Sequence, residues 1–174
     1  MTRVRVFIAT SLDGFIAGPN DEIDWLSSGE GVEDTFSPFF LDIGSVLMGR
    51  RTFDVVSKLA GEWPYGDTPV LVATARPFDP PRPTARAITG SIEAIVAEAK
   101  AVAGERDVYL DGGALIRSAL DVGLVDELAI SVVPVVLGQG IPLLSGCTRR
   151  TDLDLISTTA LGGGLVELRY HPRR

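Results

Sequence analysis

The sequence predicts an α/β fold built on a mixed, mostly parallel sheet. Two features predict it. Short β-branched runs alternate with segments of helical periodicity, as in parallel strands joined by helices, and the last two runs flank Gly162-Gly163-Gly164, which indicates a terminal antiparallel hairpin. The 174 residues contain no internal repeat and no clear linker, so we expect a single domain over residues 1–174.

Apolar and β-branched runs predict the strands. In chain order these cover residues 4–10, 45–48, 69–74, 107–110 and 125–136, followed by the hairpin strands 151–158 and 165–171. Residues 11–20 contain two glycines and a Pro-Asn pair, which predict a long loop after the first strand. The proline-rich residues 77–83 predict another surface loop.

Helical spacing of apolar residues predicts helices over residues 31–43, 51–59, 91–104 and 114–120. Pro38 would occupy the first turn of the first helix, where its missing N–H is tolerated. Ser91 is expected to cap the third helix, because its hydroxyl can accept a hydrogen bond from a free backbone N–H group.

The run over residues 128–137 carries more β-branched surface than one face of a sheet needs. Two explanations remain open at this point. The run is either buried against a second subunit in a homodimer or forms a fully buried central strand.

The charge and the scarcity of cysteine and histidine exclude several function classes. A net charge of −7 argues against nucleic acid and anionic membrane surfaces as partners. Cys147 is the only cysteine and His171 the only histidine, which excludes an intrachain disulfide and a CxxC metal site and leaves almost no material for a multi-histidine metal site or a histidine-based triad. No stretch suits a signal-peptide core or a membrane span. We therefore expect a cytoplasmic protein with a small-molecule partner and no metal.

Glycines stand at two of the predicted strand-to-helix junctions. In Gly49-Arg50-Arg51-Thr52 the glycine permits a sharp turn, the helix start presents free N–H groups, and the arginines and the hydroxyl favour an anion such as phosphate. A threonine helix cap beside two surface arginines is the alternative. In Asp111-Gly112-Gly113-Ala114 the glycines permit close approach of a pyrophosphate or ribose, or simply make a tight connection.

A third strand end, Thr74-Ala75-Arg76, places a guanidinium at the carboxyl edge of the predicted sheet, where open α/β folds bind ligands. Three anion-binding strand ends on one sheet predict an extended phosphorylated ligand such as a dinucleotide. The GxGxxG pattern of Rossmann folds does not follow the first strand, so a different arrangement must hold that ligand.

These junctions belong to a longer ordered set of segments, residues 8–17, 24–26, 46–53, 111–115, 125–128 and 134–140. The set resembles the dihydrofolate-reductase-like family. Within that family it is closest to the branch of the C-terminal reductase domain of the bacterial riboflavin-biosynthesis deaminase/reductase and its stand-alone relatives. The resemblance implies a three-layer α/β/α fold and NADPH as the hydride donor.

The resemblance also implies roles for individual residues. Those implied to contact NADPH are Ala9, Ile16, Gly18, Gly49, Arg50, Arg51, Thr52, Thr74, Arg76, Gly112, Gly113, Ala114 and Leu115. The Gly49 segment would hold adenosine-side phosphates and Arg76 would select NADPH over NADH, because a fork of donors suits a phosphate dianion. Residues 11–24 would form a closing lid, with Ala9 and residues 16–18 over the nicotinamide.

The proton donor is not identified by the sequence. Glu30 is the nearest carboxylate after Trp25, and Asp13 and Asp24 are weaker candidates that could instead cap turns. The implied activity is reduction of a small pterin-like, pyrimidine-like or carbonyl substrate. The alternatives are a genuine dihydrofolate reductase and a non-catalytic NADPH-binding module.

Overall fold

The computed structural model describes residues 1–26, 31–59, 61–80 and 82–173. Its strands are β1 (Val4–Ser11), β2 (Phe15–Ala17), β3 (Ile43–Gly49), β4 (Val70–Ala73), β5 (Ala85–Ile88), β6 (Asp107–Asp111), β7 (Glu127–Val133), β8 (Ile141–Pro142), β9 (Leu153–Gly162) and β10 (Leu165–Pro172). An eight-stranded sheet has the order β5-β4-β3-β6-β1-β7-β10-β9, and β2 and β8 form a small second sheet. The strands from β5 to β7 in this order run parallel, whereas β10 is antiparallel to both of its neighbours.

The helices are α1 (Phe36–Phe40), α2 (Arg50–Val56), α3 (Ile92–Ala103) and α4 (Gly113–Asp121), with a short 3₁₀ helix at Asp24–Leu26. On one face of the sheet, α3 and α4 bury a core that contains Leu47 and Ile116. On the other face, α1 and α2 bury a core that contains Phe39, Met48 and Phe53. The predicted three-layer fold with a mixed, mostly parallel sheet is thus confirmed. None of the helices within the described ranges is long and apolar enough to cross a membrane.

The helix expected over residues 31–43 is much shorter, because only Phe36–Phe40 is helical. The Asp34 carboxylate accepts hydrogen bonds of 3.0 Å from two backbone N–H groups at its start, which fixes where the helix begins. Just before it, the Glu33 N–H donates to the carbonyl of Leu161 at 2.8 Å. The chain there therefore runs along the end of β9 instead of turning into a helix.

Three short strands lie where the sequence predicts none. β2 falls inside the loop expected over residues 11–20 and pairs antiparallel with β8. β5 follows the proline-rich loop and pairs parallel with β4 at the edge of the sheet. Its two central residues, Arg86 and Ala87, are exposed, so β5 carries no apolar run that would reveal it.

Other predicted elements are confirmed. Ser91 caps α3, with its hydroxyl accepting a hydrogen bond of 3.3 Å from the Ala94 N–H. The terminal hairpin forms around residues 162–164, whose positive φ values suit glycine. β7 lies between β1 and β10, so the apolar run of residues 128–137 begins in a buried central strand. The homodimer remains a prediction.

Candidate functional site

A cleft of about 620 Å³ opens where neighbouring parallel strands end. β3, β6 and β1 lie side by side, and residues Gly49, Asp111 and Ala9 near their carboxyl ends line the cleft. Ligands of open α/β sheets bind at this edge. The first turns of α2 and α4 and the small β2–β8 sheet complete its walls.

Most of the predicted cofactor-binding residues line this cleft. They are Ala9, Ile16, Gly49, Arg51, Thr52, Gly112, Gly113, Ala114 and Leu115. The structure thus brings together three segments that are far apart in the chain. Gly18 is not among the lining residues; it begins a tight turn in which its N–H donates to the Glu22 carbonyl at 2.8 Å. Arg50, Thr74 and Arg76 also lie outside the lining.

Gly49 is unusual among the glycines of the described residues. Its backbone angles, φ −73° and ψ 157°, are open to any amino acid. A Cβ atom added to it would meet no heavy atom within 4 Å, whereas each of the other described glycines has a positive φ or a close neighbour. Neither the backbone nor the packing of the protein requires glycine here. The missing side chain leaves open space at Gly49, which lines the cleft together with Arg51 and Thr52.

The two glycines that begin α4 have a different explanation. Gly112 has a φ of 96°, and a Cβ there would lie 2.5 Å from the hydroxyl of Thr52. A Cβ at Gly113 would lie 2.9 Å from the carbonyl oxygen of Pro142. These glycines therefore permit close packing between α4, α2 and β8. They shape the cleft, and they are required even without a ligand.

An ion pair joins two walls of the cleft. The Arg51 Nε donates to the Asp21 carboxylate at 2.6 Å, and both residues line the cleft. Asp21 has a φ of 67°, a conformation that aspartate tolerates better than most residues. Arg51 thereby holds the turn of residues 18–22 against α2. A phosphate entering the cleft would compete with Asp21 for the same guanidinium.

A second groove, of about 360 Å³, adjoins the cleft at Leu115, which lines both. Thr74 lines this groove, and its hydroxyl accepts a hydrogen bond of 3.1 Å from the Arg76 N–H. Arg76 is exposed. Arg50 is hydrogen-bonded to the residue that follows Arg76, because its Nη1 donates to the Pro77 carbonyl oxygen at 3.0 Å. Thr74 thus lines the second groove, whereas Arg50 and Arg76 line neither the groove nor the cleft and are linked to this region through residues 74–77.

The first part of the predicted lid, residues 11–17, is held by hydrogen bonds to other segments of the protein. β2 pairs with β8, and the Arg117 Nη1 donates to the carbonyl oxygens of Pro142 and Leu143 at 2.6 and 3.0 Å, which ties β8 to α4. Asp13 accepts hydrogen bonds from the N–H groups of Leu137 and Gly138 at 3.1 and 2.7 Å. The segment through Ala17 is therefore a fixed wall.

Asp111 is, like Asp21, a carboxyl group of the cleft lining that the sequence does not mark as a site residue. Burial raises its pKa from 3.8 to about 6, against the opposite effect of the Gly112 N–H and the Tyr109 and Tyr65 hydroxyls. The Gly112 N–H donates to its carboxylate at 2.7 Å. In the sequence, the Asp-Gly-Gly segment is notable for the backbone freedom of its two glycines, which gives no indication of a role for the aspartate side chain. The signal available in the sequence was that Asp111 follows a strongly apolar strand, which predicts burial.

The carboxylates named as weak catalytic candidates lie elsewhere. Asp13 is an exposed clamp between loops, and its hydrogen bonds to Ser11, Gly138 and Leu137 lower its pKa. Asp24 is exposed at the start of the 3₁₀ helix and is not among the cleft residues. Glu30 lies outside the described residues.

Comparison with known proteins identifies relatives over nearly the whole chain. The family model described as the RibD C-terminal domain matches residues 2–166. The uncharacterized protein YwjB of Bacillus subtilis (strain 168) is 36% identical over 167 residues, which cover 95% of each chain. Together these matches confirm the resemblance noted in the sequence.

Solved structures show the same fold. A putative riboflavin biosynthesis protein from Shewanella sp. PV-4 superposes with a TM-score of 0.88 and 31% identity, over 99% of this chain and all of the other. Dihydrofolate reductase from Enterococcus faecalis, complexed with NADP(H), gives 0.70 at 14% identity over 99% and 97%. A Thermotoga maritima deaminase/5-amino-6-(5-phosphoribosylamino)uracil reductase gives 0.69 at 15%, over 99% of this chain and 57% of that one. The last two likenesses concern the fold alone.

Proposed function

The chain belongs to the family of the RibD C-terminal domain, and from this premise we propose that it is a reductase that uses NADPH to reduce a small heterocyclic or carbonyl compound. The fold is reductase-like, since it is shared with the dihydrofolate reductase of Enterococcus faecalis. The choice of NADPH and the class of substrate are the proposal.

One observation supports the nucleotide proposal most directly. Gly49 leaves open space in the cleft for which neither its φ nor its packing gives a reason. The space lies at the end of a parallel strand, beside a guanidinium and a hydroxyl, where a phosphate group of a nucleotide would be bound. The second groove, reached at Leu115, gives the ligand room to extend beyond the cleft.

The residues present fit a dinucleotide phosphate. Gly49, Arg51 and Thr52 would hold phosphate groups, and the first turn of α4 at Ala114 and Leu115 would contact the neighbouring ribose. Arg76 would contact the 2′-phosphate that distinguishes NADPH from NADH, because the residue is exposed and its backbone N–H donates to Thr74, which lines the second groove. When bound, NADPH supplies a hydride from its nicotinamide ring.

Asp111 is our candidate for the proton source. Reduction requires that one carbon of the acceptor gain a hydride and that a nitrogen or oxygen of the same acceptor gain a proton, while NADPH becomes NADP⁺. A carboxyl group whose pKa lies near 6 holds a proton closer to neutral pH than an ordinary aspartate does. Asp111 also lines the cleft, which supports its assignment as the proton source.

NADPH oxidation at 340 nm with a panel of heterocyclic and carbonyl acceptors tests the proposal. We expect turnover with at least one acceptor, and Asp111→Asn should lower the rate about a hundredfold or more while NADPH still binds. Asp24→Asn is the matched control, since this exposed carboxylate lies outside the cleft lining. Turnover with dihydrofolate alone would identify a genuine dihydrofolate reductase. NADPH binding without turnover of any acceptor would contradict the proposed catalysis.

A further inference from the structure

The end of the cleft beyond the first turn of α2 is apolar. Aliphatic and aromatic side chains line it, namely Phe7, Ile23, Leu26, Phe36, Val55, Val56 and Leu59. The Phe7 and Phe36 rings pack edge to face with their centres 5.5 Å apart. Such a wall favours a flat or compact organic molecule, because burial of apolar surface there is favourable and no ordered polar partner is needed.

Positive charge is lacking at this end within the described part of the chain. The cations that line the cleft are Arg51 and Arg117. Arg51 sits at the opposite end of α2 and pairs with Asp21 at 2.6 Å. Arg117 is on α4, where its Nη1 donates to two backbone carbonyl oxygens. Lys58 neighbours Leu59 in the chain, but it is exposed and does not line the cleft.

A negative charge is already present beside the apolar wall. Asp111 lines the cleft on the same strand as Tyr109, whose ring centre is 6.2 Å from that of Phe36. In its ionised form this carboxyl group carries a negative charge in the cleft lining. A phosphate placed here would lose its water without gaining a cation, and the carboxylate would repel it.

We propose that the acceptor bound in this apolar end is an uncharged heterocycle or carbonyl compound that carries no phosphate group. This inference rests on the proposed function, in which the other end of the cleft holds the nucleotide. The proposed acceptor thus differs from the phosphoribosylamino substrate named for the Thermotoga protein of similar fold, because that substrate carries a phosphate group.

Pairs of probes that differ by one phosphate group test the inference. Pyridoxal with pyridoxal 5′-phosphate, and riboflavin with FMN, are titrated calorimetrically into protein saturated with NADP⁺, which blocks the phosphate sites of the nucleotide. We expect at least one unphosphorylated member to bind, and to bind about tenfold more tightly than its phosphate ester. Equal or tighter binding of the esters overturns the inference, and so does failure of both unphosphorylated probes.

Failure of the proposed function gives a different result. If the protein does not bind NADP⁺ in the preliminary titration, the nucleotide proposal fails. The same pairs titrated into nucleotide-free protein then still measure the preference of the apolar end, so the two failures are separate.

Two variants test whether the preference for unphosphorylated probes arises at the apolar end of the cleft. Leu59 is half exposed at the edge of the apolar end, so Leu59→Arg adds a cation without disturbing the core. We expect it to tighten binding of the phosphate esters about tenfold, which narrows or reverses the preference. Lys58→Ala, which removes a neighbouring cation outside the lining, should leave both affinities unchanged. An unchanged preference in Leu59→Arg, or loss of ester binding in Lys58→Ala, contradicts the inference.

Discussion

Replacing Asp111 by asparagine removes a carboxylate that is costly to bury. Its pKa is raised by burial from 3.8 to about 6 in the folded protein, so between these two values the folded state binds more protons than the unfolded state. The free energy of unfolding therefore falls as pH rises from about 4 to about 6, because ionising Asp111 costs more in the folded protein than in the unfolded chain. Above about pH 6 the full cost of burying the ionised carboxylate is present. At about 1.4 kcal/mol per pKa unit, the shift corresponds to about 3 kcal/mol.

Asp111→Asn should therefore gain stability over the wild type as the pH rises. Asparagine keeps an oxygen that accepts the Gly112 N–H but carries no charge. Urea unfolding at pH 4 and pH 7.5 gives the free energy of unfolding of both proteins. The variant minus wild-type difference should increase by about 2 to 3 kcal/mol between these two pH values. A difference that does not depend on pH, or one that falls at pH 7.5, would refute the assignment of a raised pKa to Asp111.

Three further predictions concern the cleft and the fold. Asp21→Asn removes the negative charge that Arg51 faces in its 2.6 Å ion pair, so NADPH should bind about threefold more tightly at low salt. Weaker binding in a fluorescence titration would show that Asp21 helps to form the site. Arg76→Glu should weaken NADPH binding about tenfold or more and NADH binding much less; equal losses would exclude a role in 2′-phosphate recognition. Ser91→Ala removes the hydroxyl that accepts the Ala94 N–H and should cost about 1 kcal/mol in urea unfolding, while no loss would mean that the cap is not formed in solution.

The sequence predicted correctly those elements that are determined by residues adjacent in the chain. The Ser91 cap is confirmed because it needs only a hydroxyl followed by a helical run, and the glycines of residues 162–164 adopt the positive φ values that a hairpin turn demands. The helix expected over residues 31–43 was too long because its start depends on where the chain meets β9. β2 and β8 stabilise each other across more than a hundred residues, and neither has a pattern of its own.

In the candidate site, too, the sequence predicted the features that depend on local residues and missed those that depend on contacts distant in the chain. Strand ends followed by glycine predicted the parts of the cleft lining around Gly49 and Gly112, because parallel strands end at one edge of the sheet. The reasons for the individual glycines could not be read from the sequence. Gly112 and Gly113 are required by packing against Thr52 and Pro142, whereas Gly49 is free of such contacts. The altered pKa of Asp111 likewise arises from burial among residues that are distant in the chain.

Calorimetric titration of NADPH into the wild type and Gly49→Val tests the central claim most directly. Valine suits the φ and ψ of Gly49, and a Cβ atom there meets no heavy atom within 4 Å, so the variant should fold and lose about 1 kcal/mol, the cost of a poorer N-cap residue for α2. Its side chain would occupy the space assigned to a phosphate group. The account predicts saturable binding of one NADPH per wild-type chain and a loss of about tenfold or more in the variant. Failure of the wild type to bind NADPH, or equal affinity of the two proteins, would contradict it.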